Sequence, residues 1–464
     1  MTRLIPESEL ASSEPLVASG NVPRPGLARD AELTRFLFVD NNGIVRGKSV
    51  TKAHLGGRMD SGIGLAQCRQ AANVLDEVQS QPGLDAVGEV RLQPDPSTLI
   101  TLPHAPGSSA FLCDLVDTSG HPWPLCPRDF LKRAIKAANL LGFDILAAFE
   151  PEFTLCRTKP REGAIDLFDD ALCFDATGFD AAHPIILEVV RALIGQNIDV
   201  EIYHPEFGPG QHEITIRHAP ALKAADLHVW QRVLTRGVVS SLGAWATFAP
   251  IPSSGMRGNG NHLHISFWRS GQNAFADPSD PLGLSETAYH FIGGVLNHRD
   301  ALVALTCASV NSYRRLRPGM WSGAFACYGP DNREAMIRIP SPLRGAEAAS
   351  TNIELKACDC TANPYLALGA LIFAGLDGIA AKKDPGAAMT LDPRRLGATE
   401  LQKREIGLLP STLGEAIAAL ERDAMFVEAI GGRLLDTYCA IKRSEIEFFK
   451  EREQEEFQCY SRTY

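Results

Sequence analysis

The sequence predicts an α+β protein with a small N-terminal domain and a large C-terminal domain. Short β-rich runs and turn signals alternate up to about residue 120, whereas helical patterns alternate with strands beyond it. Three prolines between residues 122 and 127 separate the two regions. These observations divide the chain into a mobile tail, a first domain and a second domain, at residues 1–27, 28–120 and 121–464.

The composition predicts a folded protein that binds neither nucleic acid nor membranes. Of the 464 residues, 45% are hydrophobic, and the net charge of −10 indicates no basic face for a polyanion. The most apolar run, Leu366 to Leu376, is shorter than the roughly twenty residues that span a membrane. The 11 cysteines form no Cys-x-x-Cys pair, which predicts reduced thiols in the cytoplasm.

The first domain begins with a predicted hairpin. Residues 33–40 are rich in strand formers, and Asn41-Asn42-Gly43 is a turn signal that leads into a second strand over residues 44–50. Further short strands are expected at residues 98–102 and 110–115.

In the second domain, apolar residues recur with helical spacing from Phe130 to Leu141, and Gly142 ends this helix. The other predicted elements are strands over 143–155 and 262–268, helices over 184–196, 222–242 and 366–376, and charged helices from Ser411.

Four glutamates in this domain are candidate metal ligands. Glu150 and Glu152 alternate along a predicted strand, so both face one side, where two carboxylates repel unless a cation lies between them. Glu206 and Glu213 flank a Gly-Pro-Gly turn that can bring them together. The alternative interpretation is a solvated strand face.

A glycine-rich loop from Gly258 leads into a strand that places His262, His264 and Ser266 on one face. Strand histidines are also common as hydrogen-bonded core residues. Several glutamates with one histidine nevertheless favour Mg²⁺ or Mn²⁺, because these ions prefer oxygen ligands.

Five arginines lie between residues 314 and 338 of this acidic protein. Guanidinium groups match carboxylates and phosphates, so the cluster predicts an anion site, with surface salt bridges as the alternative. The sequence has no Gly-x-x-x-x-Gly-Lys-Ser/Thr loop. Acidic metal ligands together with arginines therefore indicate ATP chemistry on a different scaffold.

In this order, these stretches resemble the glutamine synthetase family, from about Phe36 to the C-terminus. The resemblance is carried by Glu-x-Glu-Phe (150–153), Glu-x-x-Pro-Gly-Gln-x-Glu (206–213), Gly-x-His-x-His-x-Ser (260–266), Asn-Ser-Tyr-x-Arg-Leu-x-Pro-Gly (311–319), Asn-Arg-x-x-x-Ile-Arg-Ile-Pro (332–340) and Ala-Asn-Pro-Tyr-Leu (362–366). A further motif, Asp-x-Asn-Gly-x-x-Arg-Gly-Lys (40–48), looks most like the branch that joins glutamate to organic amines.

The resemblance implies a β-grasp N-terminal domain and a catalytic domain with a curved antiparallel sheet flanked by helices. It implies a homo-oligomer of hexameric rings, stacked as a dodecamer, with active sites between neighbouring subunits. It also implies ATP and two or three Mg²⁺ or Mn²⁺ ions. Of the two ions with assigned ligands, one would be held by Glu152, Glu206 and Glu213, and the other by Glu150, His262 and Glu354.

The resemblance implies the remaining site residues as well. The residues expected to bind glutamate are Gly258, His262, Arg315 and Lys356. Those expected at the nucleotide are His264, Ser266, Arg333, Arg338 and Asn352. Those expected at the reacting groups and the amine are Asp40, Arg315, Arg333 and Trp321. Asp40 matches an aspartate that a neighbouring subunit contributes to the ammonium site.

The sequence differs from ammonia-using members of the family at Trp321. Those members carry a glutamate there, on a flap, that helps to bind and deprotonate ammonium. Tryptophan cannot accept this proton but can cover an apolar amine substituent. In addition, Lys356 and Asn352 stand in place of arginines, and Arg257 stands in place of an asparagine that contacts glutamate.

We therefore expect an ATP-dependent carbon–nitrogen ligase that forms a γ-glutamyl amide from L-glutamate and an organic amine through γ-glutamyl phosphate. Monoamines with an apolar or aromatic body are favoured, and polyamines stay open. The alternatives are an ammonia-using glutamine synthetase with a divergent flap, a non-catalytic scaffold relative, and an acid substrate other than glutamate.

Overall fold

Two β-sheets with flanking helices organise the chain, which confirms the α+β prediction. The computed structural model describes residues 31–161 and 165–464, so the tail predicted over residues 1–27 lies outside the described residues. The strands, β1 to β16 in chain order, are Leu33–Val39, Val45–Thr51, Ile63–Ala66, Glu89–Pro94, Ile100–Thr101, Ser108–Val116, Asp144–Cys156, Val200–Pro205, Gln211–Ile216, Ala219–Pro220, Trp245–Thr247, Asn261–Arg269, Gln272–Asn273, Phe325–Pro330, Ala335–Ile339 and Ile353–Leu355.

The helices surround these sheets. The α-helices are Leu55–Ser61, Pro127–Leu140, Ala176–Ile194, Ala221–Ser241, Glu286–Asn297, Arg299–Thr306, Ser312–Arg315, Glu347–Ser350, Pro364–Ala381, Ala398–Lys403, Leu413–Arg422, Ala424–Ile430, Gly432–Phe449 and Glu453–Thr463. Short 3₁₀ turns lie at Lys52–His54, Gln67–Ala71, Pro96–Thr98 and Pro393–Arg395.

The N-terminal sheet has the order β2-β1-β6-β4-β3, with β5 beside β6. The predicted hairpin is confirmed, because β1 and β2 pair antiparallel across the turn at Asn41-Asn42-Gly43. Gly43 has φ +74°, and a Cβ there would lie 2.8 Å from the carbonyl oxygen of Ala362. This turn therefore packs against the second domain at a point where only glycine fits.

The second sheet aligns the acidic and histidine motifs. Its order is β14-β15-β16-β12-β7-β9-β8, and each neighbouring pair is antiparallel except β14 and β15. Across β7 and β12, Glu150 lies opposite His262. Across β7 and β9, Glu152 lies opposite Glu213. Across β12 and β16, His264 lies opposite Glu354, so three strand registers collect five candidate ligands and His264.

The apolar helix Pro364–Ala381 is the centre of the core. It is long and apolar enough to cross a membrane, but 78% of this stretch is buried inside the fold. The Phe373 ring packs on Phe130 with 5.5 Å between ring centroids. A Cβ on Gly375 would overlap the Phe291 ring, so a bare backbone lets two helices approach closely. The helix is therefore a core element of the second domain.

Two of the differences between predicted and observed bounds have a local cause. The helix predicted over residues 184–196 begins at Ala176, because Asp175, nine residues before Pro184, accepts a hydrogen bond from the Thr177 amide and caps the helix. The strand predicted over residues 98–102 is reduced to β5, because Asp95 and Pro96 start a 3₁₀ turn over its first residue.

A buried ion pair gives the fold a pH-dependent stability. His298 contacts Asp377 through Nε2 at 3.1 Å and Asp423 through Nδ1 at 2.6 Å. Burial alone would lower the His298 pKa, but the two carboxylates raise it to about 9. An unfolded histidine has a pKa of about 6.5, so the charged ring stabilises the fold fully below that pH, and this contribution is lost as the pH rises through 9.

His298→Gln is therefore expected to lower stability at pH 6 by on the order of 2 kcal/mol, and by much less at pH 9.5. Thermal unfolding of both proteins, followed by circular dichroism across this range, measures the difference. A loss of stability in His298→Gln that does not change with pH would contradict the assignment of the charge to His298.

Candidate active site

Three groups of side chains in the second sheet bring ligand atoms within 4.8 Å of one another. These groups are Glu150, Glu213 and His262; Glu150, His264 and Glu354; and His204, Glu206 and Glu213. The donors are carboxylate oxygens and imidazole nitrogens, a set that suits Mg²⁺ or Mn²⁺. We call these side chains, together with Glu152, the acidic cluster.

Glu152, on β7, lies at the edge of the cluster next to β9. Its Oε2 accepts hydrogen bonds of 2.8 Å from the Gln211 side chain and from the Gly260 amide. Its Oε1 lies 4.0 Å from His262 Nε2. A Cβ on Gly260 would lie 2.5 Å from the Arg315 guanidinium, so a side chain there would displace this group from the cluster. One oxygen of Glu152 thus fixes the loop while the other faces the histidine.

The cluster carries more negative charge than its neighbours neutralise. Burial, and then the charges of Glu150, Glu152 and Glu206, raise the pKa of Glu213 well above its ordinary value. Burial would also raise the pKa of Glu150, but His264 holds it well below the ordinary range. Carboxylates packed in this way can all be charged only beside a cation, and a divalent ion fits the donor set.

Three cationic side chains border the cluster. Glu354 is buried and pairs with Lys356 Nζ at 3.0 Å and with Arg338 Nη1 at 2.9 Å. Lys356 Nζ also lies 3.2 Å from His262 Nε2. Arg315 is buried beside the same histidine, with 3.4 Å between Nη2 and Nε2. The structure therefore brings Arg315, Arg338 and Lys356, three of the residues expected to bind anions, to one edge of the cluster.

His264 lies on the far side of Glu150. Its Nε2 is 3.2 Å from Glu150, and its Nδ1 is 2.8 Å from the Asn352 side chain. Burial would lower its pKa, but the charge of Glu150 raises it to about 9. Ser266 continues the same strand face and accepts a hydrogen bond from the indole of Trp268. This face supplies polar groups that can receive a nucleotide.

An aromatic pair lies beside the cluster. Phe207 follows Glu206 directly, and its amide donates to the Glu206 carboxylate at 2.9 Å. The Trp321 ring lies 5.7 Å from the Phe207 ring, centroid to centroid, and 49% of this residue is exposed. Trp321 adopts φ +53°, a left-handed conformation that is unusual for a residue with a bulky side chain.

Glu334 holds the loop that carries Trp321. Its carboxylate is buried and accepts hydrogen bonds from the amides of Gly319, at 3.1 Å, and Trp321, at 3.3 Å. Strained backbone of this kind persists where the surroundings fix it, and it is common at functional sites.

Among the described residues, two predicted site residues, Asp40 and Arg333, make no contact with the acidic cluster. Asp40 is 1% exposed, pairs with Arg46 Nε at 2.6 Å and accepts the amides of Asn42 and Ile44. Its carboxylate thus braces the β1–β2 turn. Arg333 is exposed in the turn between β14 and β15. Roles for both in catalysis stay predictions.

Sequence reasoning missed His204 and gave Gln211 no role. His204 Nε2 lies 2.9 Å from Glu206 Oε1 and 3.9 Å from Glu213. His204 and Glu206 are two residues apart at the end of a strand, so the alternation that identified Glu150 and Glu152 was also the signal here.

Comparison with known proteins agrees with this geometry. Residues 24–123 match the model of the glutamine synthetase N-terminal domain, and residues 124–460 match that of the glutamine synthetase catalytic domain. The chain is therefore an ATP-dependent ligase by class. More specifically, it belongs to the glutamine synthetase family.

Three relatives illustrate the range of this family. A glutamine synthetase of Halobacterium salinarum is 37% identical over 78% of this chain and 80% of its own length. The gamma-glutamylpolyamine synthetase GlnA3 of Streptomyces coelicolor is 36% identical over 88% of each chain. A solved GmaS/ADP complex superposes with a TM-score of 0.80 at 30% identity, covering 92% of this chain and 95% of the other.

Proposed function

We propose that this ligase joins L-glutamate to an organic amine rather than to ammonia. The observation that carries the proposal is the flap. Trp321 occupies the position where the resemblance to ammonia-using enzymes leads us to expect a glutamate, and its ring packs on Phe207 beside the cluster. An exposed indole offers no base for ammonium, but it offers a surface for an apolar substituent.

The reaction follows from the chemistry of carboxylates. Glutamate is a poor acylating agent, because an oxide would have to leave. Transfer of the ATP γ-phosphoryl group to the side-chain carboxylate forms the acyl phosphate and ADP. The nitrogen lone pair of the amine then attacks the acyl carbon, the carbon–oxygen bond breaks, phosphate leaves, and the nitrogen loses a proton. Bound divalent ions would neutralise the negative charge that builds up during phosphoryl transfer.

The described side chains support specific roles in this reaction. We propose that Glu150, Glu152, Glu206, Glu213, His262 and Glu354 hold the ions, and that His204 is an additional ligand or orients Glu206. Arg315 and Lys356 would bind the carboxylates of glutamate, while Arg338 and Arg333 would contact the phosphates. Gly258, His264, Ser266 and Asn352 keep the roles that the resemblance implies.

The assembly and the compartment are part of the proposal. Family members are typically oligomers, and we propose hexameric rings that stack as a dodecamer, with Asp40 serving the site of a neighbouring subunit. All 11 cysteines are free thiols, which is consistent with a reducing cytoplasm.

A panel of amines tests the proposal. Phosphate release is measured with glutamate, MgATP and ammonia, methylamine, butylamine, benzylamine, ethanolamine or spermidine, and mass spectrometry identifies each amide. We expect at least one organic amine to exceed ammonia in kcat/KM by tenfold or more. Turnover with ammonia alone would contradict the proposal, and binding of MgATP without any turnover would favour a scaffold role.

The flap can be tested in the same assay. Trp321→Glu is expected to raise the use of ammonia, because it returns a carboxylate to the flap, whereas the matched variant Trp321→Phe is not. Equal ammonia activities in both variants would remove the assigned role of the flap.

A further inference from the structure

A cavity of about 590 Å³ lies next to the acidic cluster. Three loops surround it, together with Thr154 of β7 and Gln211 of β9. Its lining includes Asp170, Leu172, Cys173, Phe207, Met256 and Arg257.

The cavity and the cluster share a wall. Phe207 lines the cavity and follows Glu206, whose carboxylate accepts its amide. Gln211 also lines the cavity and donates to Glu152 at 2.8 Å. A molecule whose reacting nitrogen lies at the cluster could thus extend directly into this space.

The lining is mainly apolar and carries no excess of acid. The titratable groups that face the cavity are Asp170, Cys173 and Arg257. Asp170 and Arg257 are both exposed and carry opposite charges. The Arg257 guanidinium lies 4.5 Å from the Phe207 ring centroid, a cation–π distance. A second ammonium group would therefore meet one carboxylate together with a fixed cation, which does not favour a polycation.

The rim is apolar as well. Leu172 is 75% exposed on one side of the cavity, and on the other side the Trp321 ring packs on the Phe207 ring. Exposed apolar side chains around a concave site commonly contact the body of a ligand.

Building on the proposed function, we propose that this cavity binds the substituent of the amine and selects primary amines with an uncharged apolar or aromatic body. The nitrogen would lie towards Glu206, and the body would fill the space between Phe207, Met256 and Leu172. Arg257 and Asp170 would exclude diamines by offering them no net negative site.

Leu172→Glu tests this selection. The assay compares butylamine with 1,4-diaminobutane, which have the same carbon chain but differ in the second charge. For the wild type we expect butylamine to lead by at least tenfold in kcat/KM. The variant is expected to raise the KM for butylamine at least fivefold and to lower the kcat/KM ratio of butylamine to 1,4-diaminobutane. The KM values for glutamate and ATP should change less than twofold. Leu140→Glu is the matched control, since Leu140 is a 52% exposed leucine at a helix end.

Met256→Trp provides an independent test by filling the cavity. It is expected to raise the KM for benzylamine at least tenfold more than the KM for methylamine. If the wild type turns over no organic amine, the proposed function itself fails. If amines are substrates but the wild type prefers the diamine, or if both cavity variants keep the KM values of Leu140→Glu, the cavity proposal fails while the proposed function stands.

Discussion

Glu213→Gln is expected to remove most of the turnover and to leave the fold intact. Glu213 is buried opposite Glu152 in the sheet, and burial together with three neighbouring carboxylates raises its pKa well above the ordinary value. The metal-free protein therefore favours the neutral carboxyl, which glutamine imitates in shape and charge. A divalent ion needs the charged form, so the variant loses a ligand without losing packing.

The variant separates metal binding from folding. We expect the melting temperature without metal to equal or slightly exceed that of the wild type. The affinity for Mn²⁺ should fall at least 10–100-fold, by analogy with losses in metal sites. Turnover should fall by about 10²–10³-fold, the usual loss when a group that stabilises developing charge is removed. Added Mg²⁺ should raise the melting temperature of the wild type more than that of the variant.

Calorimetric titration with Mn²⁺, thermal unfolding and phosphate release measure these three quantities. Glu201→Gln is the matched control, because Glu201 lies on the neighbouring strand with 49% of its side chain exposed, 3.8 Å from Arg217. Wild-type Mn²⁺ affinity in Glu213→Gln would exclude Glu213 as a ligand.

Part of the acidic cluster could be predicted from sequence because some of its members obey strand alternation. Glu150 with Glu152, and His262 with His264, each lie two residues apart, and a strand places such pairs on one face. The register that places Glu150 opposite His262 depends on contacts between residues more than 100 positions apart. Local patterns contain no information on such a register, and only the resemblance suggested that these residues meet.

The flap shows where sequence reasoning stops. Trp321 is identifiable as a substitution, but its contact with Phe207 joins segments 114 residues apart through two loops. Neither the support from Glu334 nor the cavity below the aromatic pair has a local signal. The early start of the helix at Ala176 is a different case, since Asp175 is a local N-cap signal. Pro184 resembles a helix start but lies inside the helix.

Arg128 is the clearest feature without any motif. Its guanidinium is almost fully buried and donates to Asp226 from Nε, at 3.0 Å, and from Nη2, at 2.8 Å. It also contacts both oxygens of Asp114 at 3.1 Å and Asp95 at 2.7 Å. All three nitrogens of the guanidinium therefore have carboxylate acceptors. Tyr365 completes the arrangement by donating to Asp226 at 2.7 Å.

This ion network connects the first sheet to two helices that follow it in the chain. Asp114 lies on β6 and Asp95 follows β4, whereas Arg128 and Asp226 lie on helices of the second domain. Burial would lower the Arg128 pKa, but Asp114 and Asp226 raise it well above the ordinary value, so the guanidinium stays charged.

Arg128→Met is expected to destabilise the protein by roughly 3–5 kcal/mol, because the remaining carboxylates would be buried without their main counter-charge. Arg128→Lys keeps the charge but loses the fork, and we expect an intermediate loss. Urea unfolding followed by tryptophan fluorescence measures both effects. Arg443→Met is the matched control, since Arg443 pairs with Glu421 with 58% of its side chain exposed and should contribute less than about 1 kcal/mol. Equal unfolding midpoints for Arg128→Met and Arg443→Met would show that the ion network does not stabilise the contact between the first sheet and these helices.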